Sequence, residues 1–200
     1  MTHVSPSQIE TWRGCQRRWA YSRIRPRHDN PWAAFGTRVH TILERWLELR
    51  ETPDHTTPEG RCALAAVPEI PLPQSPGSAV EHAFAFVSDG THLILADLVA
   101  PKTATCHGHT ATGKDDPDAL ANAARAAAAA LGDPWVAYVG RIDLLDHVPG
   151  TYVRVTDYKS CGDLARADET RGDFEENVQR IIYAVYVRER FGVESVVARW

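Results

Sequence analysis

The chain has 200 residues, 44% of them apolar, four scattered cysteines and a formal net charge of −4. That length suffices for one globular core, and no stretch approaches the roughly 20 apolar residues that a membrane span needs. Without C-x-x-C spacing, and with a polar helix rather than an apolar signal core after Met1, the chain reads as soluble and cytosolic with reduced thiols.

The charge is unevenly spread. Residues 1 to 50 hold nine Arg against four acids, whereas 51 to 200 hold thirteen Lys or Arg against twenty-two acids. A basic amino-terminal quarter on an acidic body fits a solvated helix face or a phosphate-binding surface equally well.

In chain order, "SPSQIETWRGCQRRWAYSRIRP" predicts one helix. Ser5 caps it, Pro6 suits its first position, Gln8 completes a capping box, and Arg25-Pro26 ends it. Ile9, Trp12, Cys15 or Gln16, and Trp19 form its packing stripe, while Arg13, Arg17, Arg18 and Arg23 take the other face. A second helix runs from about Trp32 to Leu49, buries Val39, Ile42, Leu43 and Trp46, and sets Gly36 one turn before His40. Trp12, Trp19 and Trp46 fall on apolar stripes, and Trp32 is the tryptophan expected outside.

Six prolines between Glu51 and Ser78 predict a loop or cover segment. "AVEHAFAFV" alternates, with His82, Phe84 and Phe86 on one face and Glu81, Ala83 and Ala85 on the other, and "THLILADLVA" is its partner strand. Lys102 to Asp118 reads as a loop. Within it "CHGH" has too few partners for a tetrahedral zinc site. Asp116-Pro117 opens an alanine-rich helix that Gly132 ends, and residues from about 100 to 132 form an insertion in a single domain.

Trp135 to Asp143 and Thr151 to Lys159 are predicted strands. A helix from Phe174 to Phe191 turns Phe174, Val178, Ile181, Ile182 and Val185 inward, and "VESVVARW" is a last strand. This order predicts a mixed α/β domain, a small sheet flanked by helices.

Both strands of the hairpin carry acids where packing prefers apolar side chains. If Val148-Pro149-Gly150 form a three-residue turn, His147 pairs with Thr151, Asp143 with Val155 and Arg141 with Asp157. Asp143 and Asp157 then share a face, roughly 7 Å apart along the strand. A four-residue turn would separate the faces. Two acids aimed at one point repel unless a cation lies between them, and a hard ion such as Mg²⁺ prefers oxygen ligands. Lys159 beside such a site suits an attacking water or the charge that builds on phosphorus.

G-x-x-D at Gly140 to Asp143 followed by D-Y-K at Asp157 to Lys159 resembles the PD-(D/E)XK nuclease superfamily, its RecB-like branch in particular. The serine-capped basic helix with Cys15, the G-x-x-x-H of Gly36 to His40, the acid Glu81 and the Q-x-x-x-Y of Gln179 to Tyr183 follow in that branch's order. The resemblance implies a restriction-endonuclease-like core and a Mg²⁺- or Mn²⁺-dependent DNA nuclease. Asp143, Asp157 and Lys159 would be catalytic. Asp143, Asp157, the Tyr158 carbonyl, His40 and Glu81 would hold metal, and Gln179, Tyr183, Arg13, Arg17 and Arg18 would contact DNA. It further implies a role in repair, recombination or mobile-element DNA processing beside a helicase or recombination partner. With only Cys15 matching, no iron-sulfur cluster is expected. The second reading is a catalytically silent nuclease fold that binds DNA or scaffolds a complex.

Overall fold

The protein is described by a computed structural model covering residues 4–24, 30–73, 78–148, 152–158 and 177–199. Lys159, Cys161, Phe174 and Trp200 lie outside the described residues. The fold is mixed α/β: a seven-stranded, mostly antiparallel sheet flanked by helices, in the strand order β4-β3-β2-β1-β5-β6-β7. The strands are β1 (Ala79–Ser88), β2 (Leu93–Ala100), β3 (Thr103–Cys106), β4 (His109–Thr112), β5 (Val136–Val148), β6 (Tyr152–Thr156) and β7 (Val196–Arg199). Among the described residues no helix is long and apolar enough to cross a membrane.

The chain divides into two compact units. One comprises Met1–Ile24, Ala83–Arg141 and Glu176–Glu194; the other Arg25–His82, Ile142–Glu175 and Ser195–Trp200. Strands β1 and β5 each contribute to both.

In the first unit, α5 (Asp116–Leu131) is capped by the Asp115 side chain, which accepts the Asp118 N–H at 2.9 Å, and ends at Gly132. Its small side chains let the helix lie close on the sheet, so Ala119, Ala123 and Ala127 pack with Ala85, Val87, Ala104 and Cys106. The predicted Lys102–Asp118 loop instead contains the β3–β4 hairpin. His107 and Gly108 both take positive φ, 46° and 78°, as a two-residue type I′ turn requires, and Cys106 pairs with His109. "CHGH" is therefore turn chemistry.

The same unit holds the amino-terminal helices and the last helix, α6 (Val178–Phe191). The single predicted first helix is two, α1 (Pro6–Gly14) and α2 (Gln16–Ile24). Gly14 weakens the helix there, Cys15 turns extended, and its Sγ accepts the Arg18 N–H at 3.4 Å to start α2. Trp12, expected in a packing stripe, is exposed. The inward face of α6 is also rotated from expectation: Ile181 and Val185 are exposed, whereas Ile182, Tyr183, Tyr186 and Val187 are buried. Aromatic stacking sets that phase. Phe84 stacks on Tyr186 at 4.4 Å and meets Tyr183 edge-on at 5.7 Å.

In the second unit, α3 (Pro31–Leu49) starts at Asn30, whose side chain accepts the Trp32 N–H at 3.0 Å. Val39, Leu43 and Leu47 form its buried stripe and pack with Ala63, Ile70 and Leu144, while Ile42 and Trp46 border them. Trp32 is exposed, as expected. The predicted cover segment contains a helix, α4 (Pro58–Ala66), followed by a 3₁₀ turn over Val67–Glu69. Pro58 occupies the first helical turn, where its missing N–H costs nothing, and Thr57 caps it; proline there starts a helix rather than forbidding one.

Candidate metal centre

Three elements of the second unit deliver the polar cluster. Helix α3 supplies His40, one turn beyond the buried Gly36. Strand β1 supplies Glu81, and β5 supplies Asp143, which is 8% exposed. One donor atom from each of His40, Glu81 and Asp143 lies within 4.8 Å of the others.

Strict alternation along β1 would separate Val80 and Glu81 onto opposite faces. Glu81 instead has φ 51°, left-handed backbone that a non-glycine residue rarely adopts. Val80 packs with the α3 core while the next side chain, Glu81, reaches His40 on the same helix. A kink in the strand thus aims the carboxylate at the cluster. Such local strain, of order 1–3 kcal/mol, is held only where surrounding structure enforces it.

Asp143 is oriented from two sides. Its Oδ2 accepts the backbone N–H of Tyr158 at 2.6 Å and lies 3.7 Å from His40 Nδ1. The ladder explains how Tyr158 arrives there. The observed β5–β6 pairs are Leu144↔Thr156, Leu145↔Val155, Asp146↔Arg154, His147↔Val153 and Val148↔Tyr152. The predicted register is therefore corrected: Val155 pairs with Leu145 rather than Asp143, and His147 with Val153 rather than Thr151, because Val148, expected in the turn, still belongs to the ladder. Pro149, Gly150 and Thr151 lie outside the described residues. Facing parity is kept, but Asp157 follows directly on the last pair instead of standing two positions away. It is buried, at 4% exposure.

Tyr158 lies in this acidic surrounding. Burial, then the charges of Asp143, Glu81 and Asp157, push its phenol well above the ordinary tyrosine range, so it stays a neutral O–H. Its ring meets that of His40 edge-on at 6.0 Å.

The donor set fits a divalent cation. An ion about 2.1 Å from each donor accommodates donor separations up to about 4.2 Å, which the 3.7 Å His40–Asp143 distance satisfies. Two carboxylates and an imidazole, partly withdrawn from water, are mutually stabilised by a positive charge between them.

The amino-acid order, the fold and this cluster agree with a comparison against family models, in which the PD-(D/E)XK nuclease superfamily matches residues 3–198. The chain belongs to the PD-(D/E)XK nuclease superfamily. No curated protein and no solved structure matches it.

Of the residues expected in this superfamily's site, His40, Glu81 and Asp143 come together, and Asp157 and Tyr158 adjoin them through the Tyr158 N–H. Lys159 is outside the described residues. In the other unit, the Tyr183 hydroxyl donates to the Arg141 carbonyl and accepts from Gln179 Nε2 at 2.7 Å; Tyr183 is 4% exposed. Arg13, Arg17 and Arg18 are exposed on α1 and α2.

Sequence reasoning missed a trio built on one buried carboxylate. Asp146 is fully buried, pairs with Arg154 at 2.6 Å and accepts a hydrogen bond from Ser78 Oγ. One signal was available: among the registers of this hairpin, the observed one sets Arg154 opposite Asp146, whereas the predicted one sets Tyr152 there. Gly140 of the G-x-x-D motif also has a packing role. A Cβ added there would stand 2.4 Å from Phe84 Cζ, so the strand passes flat over that ring.

Proposed function

We propose that the chain is a Mg²⁺- or Mn²⁺-dependent deoxyribonuclease of the RecB-like branch, acting in DNA repair, recombination or mobile-element processing. The His40, Glu81 and Asp143 cluster, three donor side chains within 4.8 Å of one another, carries this reading. The motif order from Ser5 to Tyr183 supports the branch.

A divalent ion bound there would polarise a phosphodiester and make water a better nucleophile. The Tyr158 N–H fixes the Asp143 carboxylate in place. Glu81 and His40 would supply the other donors. By its place in D-Y-K, Asp157 adds a second strand-borne carboxylate, and Lys159 an ammonium for the charge developing on phosphorus. Tyr158, kept neutral, adds no further negative charge where a phosphate must approach. Gln179 and the arginines of α1 and α2 would hold the DNA backbone without reading sequence.

The test is incubation with linear single- and double-stranded DNA and Mg²⁺ or Mn²⁺, comparing the wild type with Asp143→Asn and Lys159→Ala. Each variant should lose at least about a hundredfold in rate. A readout independent of activity is thermal stability: ion at about 100 times its Kd should add about 2.7 kcal/mol to the wild type and nothing to Asp143→Asn. Equal cleavage by all three proteins would remove these residues from the reaction. DNA binding with no cleavage under any metal would point to the silent nuclease fold.

A further inference from the structure

We infer that α1 and α2 form a stacking platform for single-stranded DNA. The inference deepens the nuclease reading, on which the choice of DNA rests, by naming the strand form the protein holds.

None of the nine residues of α2 is buried. Between Arg13 and Ile24 the chain has four arginines and no acid, on a protein whose residues 51 to 200 carry nine more acids than bases. A helix with no buried residue is usually polar throughout, because an aromatic ring exposed to water forfeits part of its burial energy. Here Tyr21 and Trp12 are both 46% exposed. Tyr21 stands three and four residues after Arg18 and Arg17, so one helix face sets two guanidinium groups beside the phenol ring. Arg23 lies 5.4 Å from the Trp19 ring centre on the same helix. Trp12 ends α1 with Arg13 as its neighbour.

The pairing decides between ligands. Arginines alone suit duplex DNA, where phosphates are available and base faces are stacked away. Arginines interleaved with exposed rings suit a strand whose bases are open, since each base can stack on a ring while its phosphate meets a guanidinium.

The experiment measures binding of the full chain, in EDTA, to a labelled thymidine oligonucleotide of about 15 residues and to a blunt duplex of the same length. The wild type should bind the single strand more tightly. Its affinity should fall with salt at a log–log slope near −3, as about four phosphate contacts give. Trp12→Ala with Tyr21→Ala should weaken single-strand binding about tenfold or more and leave duplex binding nearly unchanged. Tyr21→Phe, which keeps the ring, should bind as the wild type does, and this separates stacking from any loss of fold. Arg17→Ala with Arg18→Ala should weaken both ligands and flatten the slope. Wild-type affinity in the Trp12/Tyr21 variant, or a duplex preference in the wild type, overturns the inference. Because EDTA removes cleavage, a protein that binds this way but never cuts would sink the nuclease reading alone. One that cuts, yet binds as well without the two rings, would sink only the platform.

Discussion

Asp146 and Arg154 face each other across the β5–β6 ladder as an ion pair, with the carboxylate fully buried and Arg154 Nη2 2.6 Å from Oδ2. Ser78 Oγ donates to the other oxygen. Each member stands three residues from a candidate metal residue: Ser78 from Glu81, Asp146 from Asp143, Arg154 from Asp157. One buried carboxylate thus ties together the three segments that present the acids. Truncating its partner leaves a buried charge unmatched, so Arg154→Ala should cost about 3–5 kcal/mol. Arg154→Met combined with Asp146→Asn should recover more than half. Urea unfolding of the three variants measures this, and a cost under about 1 kcal/mol for Arg154→Ala would show that the pair does not hold the ladder.

The left-handed Glu81 leads to a comparison of two truncations. Alanine at φ 51° keeps the backbone strain, whereas glycine relieves it. In EDTA, Glu81→Gly should therefore be about 1 kcal/mol more stable than Glu81→Ala, the reverse of the usual order in strands. Both should lose metal affinity. Equal unfolding midpoints would mean the strand relaxes without the carboxylate.

Gly140 is read by the family pattern as a motif glycine, yet its contact is steric. Its missing Cβ leaves room for the Phe84 ring, which stacks on Tyr186. Gly140→Ala should destabilise by about 1–3 kcal/mol through overpacking. The loss should shrink when Phe84 is replaced by Leu. A penalty unchanged by that second substitution would place the clash elsewhere.

Burial pushes the Cys106 thiol from 9.0 up to about 11 and the Tyr186 phenol from 10.0 up to about 12, both because their anions would lose water. The folded state then holds these protons more firmly than the unfolded chain. Their stabilisation is complete below about pH 9 and falls as pH rises through 11 to 12. Melting temperature should be level from pH 7 to near 9 and decline above it. Tyr186→Phe, which cannot ionise, should make that decline shallower. An identical alkaline limb in this variant would exclude Tyr186 as its source.

Local chemistry alone determined most of the elements. The Ser5-Pro6 and Asp116-Pro117 starts, the Gly132 stop and the alternation of "AVEHAFAFV" depend on residues a few positions apart, and the structure has helices and a strand there. The ordered motifs from Ser5 to Tyr183 pointed to the superfamily in the same way, because residue types at short spacings are visible in one dimension. Elsewhere tertiary structure decided. Whether Asp146 faces Arg154 or Tyr152 follows from satisfying a buried charge, and that requires knowing Asp146 is buried. The inward phase of α6 follows from Phe84 receiving Tyr183 and Tyr186, although Ile181 and Val185 have the right period. The kink that aims Glu81 opposes local preference outright. Propensity and period report what a segment favours by itself, whereas register, helix phase and strained backbone come from distant side chains competing for the same buried space.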